Sequence, residues 1–277
     1  MTITVIPDLH ADLGRLDATL AAVSGPLAFL GDFIDGGADD RAVLKCVRGL
    51  IDGGAMAVIG NHELNAALFQ RGLRENNEKN RKQHASFLAA FNEAERAEWT
   101  DWFLTLPLWR DLGGLRIVHA CWSRPDIALI AQRRPNGLLH EDDLPEIAAE
   151  STPFGRAVQR IVSGPEMTLP AGHFFADKTG HPRTQMRVAW WRSDATTYRE
   201  AALSVPDPLA IPDMPLPEGI RGEIYLEDAP PVLVGHYKMA GQPHVSGNAA
   251  SLDYPALPCA YRWAGEAVLS DAGLILV

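Results

Sequence analysis

The segment LAFLGDFIDGG, residues 27–37, decides the fold because it joins a buried strand directly to a cluster of polar and glycine residues. Residues 27–30 form a short, unbroken apolar run, which is typical of a strand buried on both faces. Gly31 and Asp32 follow it immediately. The segment therefore predicts a core strand that delivers a carboxylate at its carboxyl end.

The segments on either side repeat this arrangement. Upstream, the β-branched run at residues 2–6 ends in PDLH, residues 7–10, and downstream the apolar residues 57–59 end in GNHE, residues 60–63. Apolar residues at helical spacing separate the three strands. This β-α-β-α-β order predicts right-handed crossovers and a sheet with parallel strands.

Two later strands also end in a polar residue. Residues 115–118 are followed by His119, and residues 232–234 are followed by Gly235 and His236. Five predicted strands thus each place an Asp, Asn or His at the carboxyl end, which is the edge where open α/β sheets bind ligands. Because carboxylate, amide and imidazole groups suit manganese, iron or zinc, this arrangement predicts a metal site.

The pattern also indicates a type of reaction. Two divalent ions about 3.5–4 Å apart can clamp the attacking and leaving oxygens of a phosphoryl group, and they lower the pKa of a bridging water. No protein nucleophile is then required. The sequence contains neither a G-x-S-x-G elbow nor a P-loop, which agrees with metal-dependent hydrolysis of a phosphoester.

These strand-end motifs resemble those of the calcineurin-like metallophosphoesterase superfamily. They are most similar to the branch that holds bacterial Ser/Thr protein phosphatases, symmetrical diadenosine tetraphosphatases and the phosphatase module of bacterial polynucleotide kinase-phosphatases. The resemblance implies an α/β fold, a four-layer αββα sandwich with mixed sheets, as a single domain over residues 1–277. It also implies a substrate-shaping insert at about residues 126–225. The matching motifs, in order, are Asp8-x-His10, Gly31-Asp32-x-x-Asp35, Gly60-Asn61-His62-Glu63, Val118-His119-Ala120 and Gly235-His236.

Carried over by position, the resemblance implies a dinuclear centre and a catalytic pair. His62 would be the general acid that protonates the leaving oxygen, and Asp35 would orient it. The expected cofactors are two divalent metal ions, manganese first, with iron or zinc as alternatives. The implied ligands are Asp8 and His10 for the first metal, Asp32 as the bridge, and Asn61, His119 and His236 for the second.

The sequence departs from the family pattern in one place. Protein phosphatases of this branch follow the equivalent of Asp35 with Arg-Gly, whereas this chain has Gly36 and Gly37. The missing arginine would clamp the substrate phosphate, so another cation is expected to replace it. Residues 175–191 are similar to an insert of the kinase-phosphatase relatives and are expected to shape substrate choice. The candidate cations are Arg74, Lys178, Arg183, Arg187 and Arg41.

The composition bounds the partners. The chain has 277 residues and a formal net charge of −10, and it lacks the basic stripe that a nucleic-acid-binding protein needs. No apolar run approaches the about 20 residues of a membrane span, and no signal peptide precedes the first motif. Three widely spaced cysteines fit reduced thiols. We therefore expect a cytoplasmic protein with a phosphoester substrate and with no general nucleic-acid or membrane partner. The oligomeric state is left open.

Three functions follow from these observations. The main hypothesis is a phosphatase of the Ser/Thr-phosphatase-like kind that hydrolyses a phosphomonoester. The glycine at position 36 motivates the alternative of a nucleotide or dinucleoside polyphosphate hydrolase, and a non-enzymatic metal-binding scaffold is the third possibility. Among the remaining histidines, only His84 is considered for the pocket, because it shares a helical face with Asn80 and Arg81.

Overall fold

The computed structural model of the chain describes residues 2–177, 180–192, 194–217, 225–226, 228–245 and 247–277. Within these ranges, helices alternate with short strands. The strands are β1 (Ile3–Ile6), β2 (Leu27–Phe29), β3 (Met56–Ala57), β4 (Trp109–Asp111), β5 (Arg116–Val118), β6 (Glu166–Thr168), β7 (Phe175–Ala176), β8 (Pro182–Arg183), β9 (Gln185–Val188), β10 (Ala202–Leu203), β11 (Val232–Val234), β12 (Ala249–Ser251), β13 (Cys259–Trp263) and β14 (Leu274–Leu276).

The helices lie mainly in the first half of the chain. Short 3₁₀ turns also occur at Glu141–Asp143, Pro208–Ala210 and Asp271–Gly273. The α-helices are α1 (Leu13–Ala22), α2 (Asp40–Asp52), α3 (Asn61–Gln70), α4 (Glu78–Gln83), α5 (Ala85–Ala90), α6 (Glu93–Phe103), α7 (Arg124–Ala131), α8 (Leu144–Ala149), α9 (Pro153–Ser163) and α10 (Tyr198–Ala201).

The first three strands form the predicted parallel arrangement. β1 pairs with β2, and β2 pairs with β3, both in parallel. β13 pairs antiparallel with the other edge of β1, which gives the strand order β14-β13-β1-β2-β3. A second mixed sheet has the order β12-β11-β5-β4, in which β11 runs parallel to both β12 and β5. The expected α/β fold with mixed sheets is confirmed.

The two mixed sheets share one hydrophobic core. Ile3 and Val5 of the first sheet and Ile117 and Leu233 of the second are fully buried members of a single cluster. Burying a side chain of this kind contributes roughly 1.5–3 kcal/mol. The core therefore holds the strands in register and, through them, the loops at their carboxyl ends.

The closing pair predicted from the sequence is wrong. β13 was expected to pair with residues 267–269, but it pairs with β14, where Tyr261 lies opposite Leu274. The Glu266 carboxylate accepts hydrogen bonds from the Tyr261 hydroxyl and from the Ala264 backbone N–H. These bonds hold the chain after β13 in a turn, so the residues that follow cannot return beside the strand.

The polar helix predicted from residues 78 to 98 is interrupted as well. It forms α4, α5 and α6, with the first break at His84, whose φ of −99° and ψ of 21° lie outside the helical region. The second break precedes Asn92, whose side chain accepts from the Glu95 N–H while Glu95 accepts from the Asn92 N–H. Such a reciprocal cap starts a new helix.

Packing divides the chain into two compact units. The first comprises Met1–Ser163 and Pro230–Val277, and the second comprises Gly164–Ala229. The second unit contains the sheet β10-β9-β6, the pair β7-β8 and a core of its own that includes Met186 and Ile211. The single-domain description and the substrate-shaping role of residues 126–225 stay predictions.

Candidate metal centre

The predicted ligands all belong to the first unit, and each follows one of its strands. The parallel strands of both mixed sheets end at these residues, so the sheets rather than the loops set their positions. Asp8 and His10 follow β1, Asp32 follows β2, Asn61 opens α3 after β3, His119 follows β5, and His236 follows β11.

The structure brings these side chains together around Asp32. The Asn61 Oδ1 atom lies 3.0 Å from His119 Nε2 and 2.8 Å from His236 Nδ1. His119 Nε2 lies 3.4 Å from Asp32 Oδ1. Asp32, His119 and His236 each offer one ligand atom, and these atoms lie within 4.8 Å of one another. Such a group of nitrogen and oxygen donors could hold a divalent cation.

A second group of potential ligands adjoins the first. Asp8, His10 and Asp253 offer atoms within 4.8 Å of one another, and so do His10, Asp32 and His62. Asp8 is fully buried, and its carboxylate oxygens accept the His236 backbone N–H at 3.1 and 2.9 Å. Asp32 stands between the two groups, as a bridging ligand would.

His10 tests whether a cation fits this second group. Both of its ring nitrogens are buried and make no hydrogen bond to any residue in the described part of the chain. Burial lowers its pKa to about 4, so the ring is neutral at pH 7, the form that binds metals. A buried imidazole without a partner costs free energy, and a divalent cation would supply that partner.

Electrostatics around Asp32 favour its charged form. Burial opposes ionisation, but the imidazoles of His119 and His62 outweigh it and lower the pKa of Asp32 well below its ordinary value. Burial likewise opposes protonation of His119, and the charge of Asp32 overcomes it and raises the pKa of His119 to about 10. The Leu30 carbonyl lies 2.6 Å from His119 Nδ1 and accepts its proton, which leaves Nε2 to face the ligand cluster.

A carboxylate with two imidazoles stands beside the ligand cluster. Asp35 Oδ2 lies 2.7 Å from His62 Nδ1 and 2.7 Å from His84 Nδ1. His62 Nε2 faces the other way, 3.8 Å from Asp32 Oδ2. Burial opposes protonation of His62, but the charges of Asp32 and Asp35 raise its pKa to about 9. The sequence-predicted acid is therefore mostly protonated at neutral pH.

We give the two parts of this centre fixed names. The acid side consists of Asp35, His62 and His84. The cation side consists of Asp8, His10, Asp32, Asn61, His119, His236 and Asp253.

Sequence reasoning missed two buried acids at the centre. Glu63 accepts the backbone N–H groups of Asp32 and Phe33 at 2.8 Å and of Gly60 at 3.0 Å, so it ties the loops after β2 and β3 together. Asp253 follows β12, and its carboxylate oxygens accept no hydrogen bond from the residues that the structure describes. The strand-end pattern could have found Asp253, because the β12 strand was predicted.

Backbone geometry at the centre is unusual. Gly235 approaches Asp8 so closely that a Cβ there would lie 1.9 Å from Asp8 Oδ1, so no other residue fits. In the described ranges, seven non-glycine residues have positive φ, and five of them belong to the loops of the centre. Such conformations cost of order 1–3 kcal/mol each and persist where surrounding contacts enforce them. The five are His10, Ala11, Asp32, Asp35 and His236.

Gly36 explains why no arginine follows Asp35. Its φ is +93°, and a Cβ there would lie 3.3 Å from the Cβ of His10. A side chain at this position would therefore be strained by its backbone and crowded by a predicted ligand.

The candidate replacement cations have different surroundings. Arg41 is held by the Glu95 carboxylate at 2.7 and 3.0 Å. Arg74 is half-buried and donates no hydrogen bond within the part of the chain that the structure describes; burial lowers the pKa of its guanidinium. Arg183 ends β8, 3.7 Å from Asp177, whereas Arg187 lies on β9, so the two do not share a strand or helix face as expected. Lys178 lies outside the described residues.

Comparison with known proteins places the chain in a family. A family model described as calcineurin-like phosphoesterase matches residues 1–254. No curated protein matches the chain in sequence.

Solved structures show a similar fold. A cold-active protein-tyrosine phosphatase of a psychrophilic Shewanella species is 14% identical, with 94% of this chain and 74% of that chain covered and a TM-score of 0.53. A diadenosine tetraphosphatase described as putative is 14% identical over 99% of this chain and 93% of that one, with a TM-score of 0.48. A metallophosphoesterase of Sphaerobacter thermophilus is 25% identical, but the match covers 49% of this chain and 56% of that relative, with a TM-score of 0.35.

The helices give no sign of a membrane span. Among the described residues, none combines the length and the apolar character needed to cross a bilayer.

Proposed function

The chain belongs to the calcineurin-like phosphoesterase family and is a metal-dependent phosphoric ester hydrolase, and we propose that it is a dinuclear phosphatase acting on a phosphomonoester. Enzymatic activity sets aside the alternative of a non-enzymatic scaffold. The observation that supports the proposal is the contact of the His62–Asp35 pair with the ligand cluster, where His62 Nε2 lies 3.8 Å from Asp32 Oδ2. A proton donor beside a metal site suits the departure of an alkoxide or phenoxide.

We propose that the two cations are held as the sequence predicts. Asp8 and His10 would hold one, Asn61, His119 and His236 the other, and Asp32 would bridge both. When bound, such ions supply an activated water and charge that stabilises the phosphoryl oxygens. Manganese is our first choice, since the donor set holds no thiolate and excludes neither iron nor zinc.

His62 would complete the reaction. The water oxygen forms a bond to phosphorus as the ester P–O bond breaks, and the electron pair of that bond stays with the leaving oxygen. The Nε2 proton of His62 passes to this oxygen, and Asp35 keeps the ring oriented through Nδ1. The products are an alcohol and inorganic phosphate.

Gly36 supports a second candidate, the hydrolysis of a nucleotide or dinucleoside polyphosphate. Without a guanidinium after Asp35, the phosphate must be bound by another cation. Arg74 is the candidate that the structure favours, because it is half-buried, donates no hydrogen bond to the described residues, and lies between the helices that carry His62 and His84. Lys178, Arg183 and Arg187 are proposed as further substrate contacts.

The test is metal-restored activity. The chelated protein would be assayed with p-nitrophenyl phosphate, a phosphopeptide, a 2′,3′-cyclic nucleotide and diadenosine tetraphosphate, before and after addition of Mn²⁺. Preference for a monoester supports the phosphatase, and preference for diadenosine tetraphosphate supports the second candidate. If added Mn²⁺ restores no hydrolysis of any substrate, although calorimetry shows that it binds, both are contradicted.

We also propose a cytoplasmic location. All three cysteines, Cys46, Cys121 and Cys259, are free in the structure. Reduced thiols are the usual state in that compartment.

A further inference from the structure

The second imidazole on Asp35 has no counterpart in the catalytic pair predicted from the sequence. His84 is 1% exposed and lies at the break between α4 and α5. Its Nδ1 atom is 2.7 Å from Asp35 Oδ2, the same oxygen that His62 Nδ1 contacts. An imidazole that donates from Nδ1 must carry its proton there, so both rings share one tautomeric requirement.

The polar identity of His84 is costly. Its other ring nitrogen, Nε2, is buried and makes no hydrogen bond to a residue in the described ranges. The Phe69 ring lies 5.9 Å away, centroid to centroid, so the surroundings include an apolar neighbour. A leucine would be buried here without leaving a polar atom unsatisfied. The bond to Asp35 is therefore the interaction that a histidine provides and an apolar residue cannot.

Asp35 needs such a partner to hold its carboxylate in place. The torsion that rotates a carboxylate is broad, because it joins an sp³ to an sp² carbon. The Asp35 backbone N–H is held by Asp40 Oδ1 at 3.0 Å, but the Oδ1 atom of Asp35 accepts no hydrogen bond from the described residues. The two imidazoles alone therefore set the carboxylate plane.

We infer that His84 is a positioning residue for phosphoester cleavage, which fixes the Asp35 carboxylate so that it orients His62 toward the leaving oxygen. The inference rests on the proposed role of His62. His84 has no contact with the reacting atoms and acts through Asp35. It sits in a rigid position, because its backbone N–H donates to the Asn80 carbonyl at 3.2 Å and its carbonyl accepts from Leu88 at 2.8 Å.

Two substrates separate positioning from general damage. Phenyl phosphate needs its leaving oxygen protonated, whereas 2,4-dinitrophenyl phosphate releases a stabilised anion that does not. We expect His84→Leu to lower kcat on phenyl phosphate by about 10- to 100-fold and to leave kcat on the dinitrophenyl ester nearly unchanged. His84→Asn should restore most of the loss, because an amide nitrogen can occupy the place of Nδ1.

The matched control is Phe87→Leu. Phe87 is buried on α5, one turn from His84, and reduces packing without removing a hydrogen bond to Asp35. It should lower thermal stability while leaving the ratio of the two kcat values unchanged. Equal losses on both substrates for His84→Leu, no loss on either, or an Asn variant no better than the Leu variant would overturn the inference.

A measurement without turnover keeps the inference separate from the proposed function. In the chelated protein, the hydrogen-bonded Nδ1 proton of His62 should give a downfield proton resonance that His84→Leu shifts or broadens. If the unmodified protein hydrolyses neither ester, the proposed function is contradicted, and the spectrum still decides about His84. A His62 resonance that is identical in the variant would overturn the inference even in an active enzyme.

Discussion

The acid side and the cation side of the centre satisfy their buried polar atoms in opposite ways. On the acid side, one oxygen of Asp35 receives both His62 and His84 at 2.7 Å. On the cation side, both ring nitrogens of His10 and both carboxylate oxygens of Asp253 make no hydrogen bond within the described ranges. The protein completes the first arrangement by itself, whereas the second needs charge from outside the chain.

This difference shows which part of the chemistry is built into the polypeptide. Burial raises the pKa of Asp253 to about 6, and burial together with the charge of Asp253 raises the pKa of Asp8 well above its ordinary value. Neighbouring acids that resist ionisation in this way accommodate a divalent cation, which reverses the local preference. Proton donation is thus preorganised, and water activation depends on bound ions.

Removing a cation-side ligand should have the largest effect. We expect Asn61→Ala to abolish metal-dependent turnover, because Asn61 Oδ1 lies between His119 and His236 at 3.0 and 2.8 Å. Turnover and bound metal would be measured together, with thermal unfolding as the check on folding. Asn76→Ala, at an exposed position, is the control. Full activity of a well-folded Asn61→Ala protein would contradict the ligand assignment.

Removing the acid should have a smaller effect that depends on the substrate. We expect His62→Asn to lower kcat on phenyl phosphate by about 10²- to 10⁴-fold, and to lower it far less on 2,4-dinitrophenyl phosphate, while metal content stays normal. His140→Asn, at an exposed histidine, is the control. Loss of bound metal in His62→Asn would instead make His62 a ligand and erase the distinction between the two sides.

Arg74 should affect binding more than chemistry. We expect Arg74→Ala to raise KM by about 10- to 100-fold with little change in kcat, because it would remove a charge-assisted contact to the substrate phosphate. Steady-state kinetics would be compared with those of Arg81→Ala, whose exposed guanidinium donates to the Asn76 carbonyl. Equal KM values in the two variants would rule out Arg74 as the replacement for the missing arginine.

Metal affinity should change with pH in a direction that the cation side sets. The pKa of His119 is raised to about 10, so a proton occupies this ligand at neutral pH and must leave when a cation binds. Affinity for Mn²⁺ should therefore rise with pH between 6 and 8, by about tenfold per unit for each proton displaced. Calorimetry in two buffers of different ionisation enthalpy would count the protons. Affinity that does not change with pH would contradict this prediction.

The sequence predicted the parts of the centre that depend on local order. Asp8, Asp32 and His119 follow short apolar strands, and strand order alone places such residues at one edge of a sheet. The contact between His84 and Asp35 could not be predicted in this way, because it depends on a helix break and on packing between distant segments. The pairing of β13 with β14 was missed because a turn around Glu266 redirects the chain.

The left-handed residues around the centre also bear on how the protein could be engineered for heat resistance. Ala11 has a φ of 53° but supplies no ligand, so Ala11→Gly removes strain without touching the chemistry. Asp32 and His236 have φ values of 51° and 63°, and each is a proposed ligand. A selection for higher melting temperature alone would therefore favour replacing the residues that the enzyme cannot lose, so such a selection should include an activity screen from its first round.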